Sequence, residues 1–127
     1  METGNYNYKT ILKTIVEAME LEDIKVFTTS RPNATRENLQ SFVVVSLPIT
    51  IHDLLAHGKT VIRFVLYARD VEGYENTTLL SELQELIYSK LPLTTEKYMV
   101  MHPVTLPGIP DSLGFHTLVI QSSLIII

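Results

Sequence analysis

Histidine is the side chain best suited to acid–base and metal chemistry near neutral pH, and this sequence has four: His52, His57, His102 and His116. His52 and His57 stand five apart with Asp53 beside one of them. A zinc pair on one helix face needs the i, i+4 spacing of HExxH, which is absent, so both read as loop histidines. His116 follows Asp111 and Ser112 in the final turn, and these are the three residue types of a nucleophilic triad. No GxSxG elbow and no glycine arrangement that would build an oxyanion hole accompanies them. Asp70, Glu72 and Glu75 form an acidic cluster where carboxylates could hold a divalent cation or act as acid and base. Nearness in sequence does not set the separation such work requires, and solvation of a turn accounts for the cluster. No GxGxxG or P-loop cradles a phosphate. The chain has no cysteine, which removes thiolate nucleophiles, disulfides and every sulfur-ligated zinc site. The expectation is a protein that is not an enzyme, with no catalytic residue, no metal site and no cofactor.

Composition bounds the partners. Ten Lys plus Arg against fourteen Asp plus Glu leave a formal charge of −4 and argue against bulk attraction to nucleic acid. A local basic patch remains open, and Arg31 and Arg36 in the loop 28–38 are candidates to touch nucleic acid or an acidic neighbour. With 127 residues, 46% of them hydrophobic, and no apolar run that would span a bilayer, the chain reads as one soluble domain over 1–127. A chain of this size buries roughly two-thirds of its unfolded surface and holds together on packing alone. The opening METGNYNYKT lacks a basic region followed by an apolar stretch, which predicts neither secretory signal nor targeting address. The triplets Asn33-Ala34-Thr35 and Asn76-Thr77-Thr78 then match the glycosylation pattern by chance.

The elements that must position these residues follow from hydrophobic period. Tyr8, Ile11, Leu12, Ile15, Val16 and Met19 make one face of a helix, with Lys9, Lys13 and Glu17 opposite. A short strand is expected over 24–28, a polar loop over 28–38, and a strand buried on both faces over 41–47, stopped by Pro48. An apolar, His-containing insert, 48–59, precedes the strongest strand, 60–70. There Ile62, Phe64, Leu66 and Ala68 share one face. Asn76 is a good N-cap for a helix over 77–91 with a stripe of Leu79, Leu80, Leu83, Leu86, Ile87 and Leu91. A strand over 98–105, a long turn with two prolines and two glycines, and a half-buried edge or near-edge strand over 115–127 complete the chain. The order α-β-β-β-α-β-β predicts an α+β fold: a mainly antiparallel sheet of about five strands with two helices packed on one face. Leu83 and Ile87 should then pack on Phe64 and Leu66.

That leaves a second sheet face. Val61, Arg63, Val65, Tyr67 and Arg69 on the long strand, with Val119 on the last, make it only partly polar, so something outside the chain is expected to cover it. In such a contact the arginines would find carboxylates on a neighbour and Tyr67 would be the aromatic anchor.

The layout, with TVIRFVLYARD running into EGYENTTLLSELQELIYSKL and the chain closing on DSLGFHTLVIQSSLIII, resembles the tail terminator and tail-completion (head–tail joining) proteins of long-tailed bacteriophages. The likeness covers nearly the whole chain. Its most specific piece is the aromatic-containing strand ending in Arg69-Asp70, then an acidic turn and a leucine-striped helix. The resemblance implies a phage or prophage virion-assembly protein that forms a ring, commonly a hexamer, capping the tail tube or joining it to the head. It implies no substrate and no cofactor, with other tail or neck proteins as partners, no specific nucleic-acid binding and no membrane. The place would be the virion if phage-encoded and the cytoplasm otherwise. An acidic charge would suit a channel that DNA passes without sticking. The loop 28–38, with Arg31 and Arg36, matches in position a loop that reaches toward the neighbouring subunit in such rings. The insert 48–59 departs from the pattern. Two other readings stand beside this one: a small bacterial α+β ligand-binding or regulatory module, with the mixed sheet face as a pocket wall, and a hydrolase or metal-dependent enzyme in which Asp70, Glu72, Asp111 and His116 converge.

Overall fold

The computed structural model describes residues 8–22, 24–28, 39–47, 58–108 and 114–127. Among these residues two helices and a six-stranded sheet follow one another as α1 (Tyr8–Met19), β1 (Lys25–Thr28), β2 (Ser41–Ser46), β3 (Lys59–Arg69), α2 (Thr77–Ser89), β4 (Leu93–Thr94), β5 (Tyr98–Pro107) and β6 (Phe115–Ile126). The fold is α+β. Arg31, Arg36, His52, His57, Asp111 and Ser112 lie outside the described residues.

Both helices bury their apolar stripe against one face of the sheet. Ile11, Leu12, Ile15 and Met19 of α1 and Leu80, Leu83 and Ile87 of α2 share one cluster with Val43, Val45, Ile62, Phe64, Leu66, Ala68, Ile120 and Leu124. Leu83 and Ile87 thus join the Phe64 and Leu66 core, as the stripe requires. Each such side chain contributes roughly 1.5–3 kcal/mol on full burial. Asn76 caps α2: its side chain accepts a hydrogen bond from the Leu79 N–H at 3.1 Å, satisfying one of the helix's orphan donors.

The sheet differs from the expected five mainly antiparallel strands. It has six strands in the order β1-β2-β3-β6-β5-β4, and it is mixed. β1 runs parallel to β2, Lys25 opposite Phe42 and Thr28 opposite Val45, while the other pairs are antiparallel. Parallel neighbours need a crossover of about a dozen residues, and the segment 29–40 supplies that length. The additional strand, β4, is two residues long and follows Pro92, too short to show a period. β6 is not an edge strand: it lies between β3 and β5 and pairs with β3 along that strand's whole length, with β5 and the two-residue β4 beyond it. Its alternation reflects a sheet with one helix-covered face.

β5 contains a bulge. The register slips between Met101 and Val104, where three steps along β5 match two along β6, from Ser123 to Gln121. His102, at φ 57°, and Pro103, which has no N–H to give the ladder, sit at the slip. Because side chains alternate with period two, the extra residue changes the face of everything after it. Thr105 therefore turns toward α2, where its Oγ1 meets Gln84 Nε2 at 3.0 Å and the Tyr88 hydroxyl at 2.8 Å. Val104 and Leu106 turn to the opposite face.

Candidate interaction face

Among the described residues no helix packs on the other face of the sheet, and this helix-free face carries the long strand's second set of side chains: Val61, Arg63, Val65, Tyr67 and Arg69. The register lays it out in rows. At one end the aromatic rings of Phe27, Phe42, Tyr67 and Phe115 close on one another. Tyr67 stacks on Phe42 with centroids 4.4 Å apart, Phe115 meets Phe42 edge-on at 5.5 Å, and Phe27 meets it edge-on at 5.9 Å. Phe42 and Phe115 are fully buried and Val44 nearly so, which makes this a second, smaller core. Arg69 belongs to it. Its guanidinium donates from Nε at 3.0 Å and from Nη2 at 2.7 Å to the Leu39 carbonyl, and lies 4.8 Å from the Phe115 ring centroid.

Tyr67 and Arg69, expected to reach a neighbour, are thus engaged within the chain. Sequence patterning places them on the right face but is silent about the rings beside them, because Phe27, Phe42 and Phe115 come from three other strands.

The next row joins Val44, Val65, Val119 and Leu106, and the one after it Ser46, Arg63, Gln121 and Val104. Arg63 Nη2 donates to Gln121 Oε1 at 2.9 Å, and Arg63 Nε is shut off from water without a hydrogen-bond partner. Among the described residues no carboxylate pairs with Arg63; the ion pair found there joins His116 to Asp70. On β5, across β6 from this half-buried cation, Val104 is 54% exposed and Leu106 36%. Sequence reasoning missed both. The available signal is His102-Pro103 inside a strand pattern, which marks a bulge.

Beyond β3 the chain makes a two-residue turn. Val71 and Tyr74 exchange N–H···O bonds of 2.9 Å each, and Glu72 and Gly73 between them take positive φ of 52° and 81°. The turn points outward, with Tyr74 77% and Val71 55% exposed, and Glu72 and Glu75 in solvent. Asp70 stands at its base, its N–H bonded to the Gly114 carbonyl at 2.9 Å. His116 Nδ1 donates to Asp70 Oδ1 at 2.5 Å. A carboxylate only accepts, so Nδ1 carries the proton.

Of the four groups an enzyme reading would bring together, the structure joins Asp70 and His116 and holds Glu72 away on the turn, while Asp111 is outside the described residues. Among the described residues no group of three or more His, Asp or Glu could hold a metal ion. A groove of ≈ 310 Å³ between the end of α1 and β1 is lined by Val16, Leu21, Ile24 and Val26 with Glu22 and Lys25. Both charged residues are exposed and make no converging polar set. Among the described residues no helix is long and apolar enough to cross a membrane. No family model, curated protein or solved structure matches this chain.

Proposed function

We propose that the chain is a structural subunit of the head–tail junction of a long-tailed phage or prophage, assembling with copies of itself into a ring, commonly a hexamer, that terminates or joins the tail tube. The reading starts from the resemblance in element order. The observation that carries it is the helix-free sheet face: a half-buried arginine that pairs with no carboxylate among the described residues, with exposed Val104 and Leu106 on the far side of β6, on a sheet whose other face packs against both described helices. An apolar, charge-bearing patch of this kind suits a subunit contact. In this reading Val61, Arg63 and Val65 lie at or beside the contact, and Tyr67 and Arg69 support it from within the aromatic cluster. Other tail or neck proteins would bind the assembled ring. The work is assembly, so no catalytic residue or cofactor takes part.

Size-exclusion chromatography with light scattering, followed by negative-stain microscopy, tests this on the full chain. A closed ring is the expected result. A strict monomer at high protein concentration overturns the reading and favours the small ligand-binding or regulatory module.

A further inference from the structure

We propose that the 71–75 turn of one copy docks on the Arg63 row of the next copy's helix-free sheet face, a head-to-tail contact. This rests on the ring reading and names the two surfaces that would build the ring.

The turn is prepared for binding. Its paired backbone hydrogen bonds hold Val71 and Tyr74 in place before any partner arrives, and the Asp70–His116 pair anchors its base. A tyrosine that is 77% exposed on such a turn offers a large amphipathic surface and loses little freedom when covered. Tyrosine is also among the residues that dominate binding energy at protein contacts.

The receiving row has what the turn lacks. Among the described residues Arg63, half-buried, bonds only to the neutral Gln121, and its Nε has no acceptor. A cation held this way gains from a carboxylate brought to it by a partner. Glu72 and Glu75 on the turn are exposed and carry that charge, whereas Asp70 is already taken by His116. Val104, on the other side of Gln121 in the same row, and Leu106 in the next row give Tyr74 and Val71 an apolar seat. The turn and the row therefore each offer the charge and the apolar surface that the other can use.

The contact has to be made between copies. Six residue steps of extended strand lead from Arg63 to Arg69, about 20 Å at the ordinary strand rise, and the turn lies beyond Arg69. A subunit cannot fold its own turn back onto its own Arg63 row. Two different patches of one chain then meet heterologously, the arrangement that closes into a ring when the rotation allows.

The absence of native cysteine makes the test direct. Tyr74→Cys and Val104→Cys are prepared separately, then mixed and oxidised. A disulfide-linked dimer is expected in the mixture and in neither variant alone. In parallel, Arg63→Glu should weaken assembly at least tenfold, and combining it with Glu72→Lys and Glu75→Lys should restore it. Circular dichroism on each variant separates lost assembly from lost folding, and the two cysteine positions are exposed, so the cross-link stands even if Arg63→Glu fails to fold. A wild-type oligomer with no cross-link in the mixture, or with one in Tyr74→Cys alone, overturns this contact and leaves the ring reading standing. A monomeric wild type overturns both.

Discussion

Replacing Phe42 with Ala probes whether the helix-free face contains a core of its own or is only a surface awaiting a partner. Phe42 is fully buried, although neither helix packs on its side of the sheet, and it touches Phe27, Tyr67 and Phe115. Truncating a buried Phe to Ala costs about 3–5 kcal/mol, through lost transfer energy and the cavity left behind. For 127 residues the unfolding entropy near the midpoint is about 0.27 kcal/mol per kelvin, so a 4 kcal/mol loss lowers Tm by about 15 °C. Val104→Ala on the same face, at an exposed position, should stay within about 0.5 kcal/mol. Urea unfolding followed by far-UV circular dichroism measures both. A double-mutant cycle with Phe42→Leu and Tyr67→Leu should show about 0.5–1.5 kcal/mol of coupling from the stacked pair. If Phe42→Ala costs under about 1 kcal/mol, the ring cluster is not a core.

Leu83→Ala, in the helix-side cluster, should cost about 2–5 kcal/mol, and an unchanged melting temperature would sink the placement of α2 on β3. His116→Ala removes the pair with Asp70 at the base of the turn and should alter stability or assembly; a hydrolase screen that finds an activity in the wild type and none in this variant would show that the Asp70–His116 pair does chemistry.

Much of the chain was legible from period and punctuation. Ile11, Leu12, Ile15 and Met19 mark α1 over the residues it occupies, and Asn76 and the leucine stripe mark the start and buried face of α2. The alternation in β3 separates Ile62, Phe64, Leu66 and Ala68, all fully buried, from the half-buried arginines and valines opposite. These are local properties: a helix or strand repeats every few residues, so the side facing the core is written in the spacing of apolar residues. Neighbours are not written there. The parallel pairing of β1 with β2, the interior place of β6 and the meeting of Phe27, Phe42, Tyr67 and Phe115 depend on strands distant in sequence. The same limit hid the open part of the proposed contact. Plain alternation along β5 would place Val104 and Leu106 on the face of Tyr98 and Val100, among the core residues. The single extra residue at the bulge sends them to the other face instead, and the hydrogen bonds of Thr105 to Gln84 and Tyr88 hold that register. A strand's period thus tells which residues travel together, and only the tertiary pairing decides which face they reach.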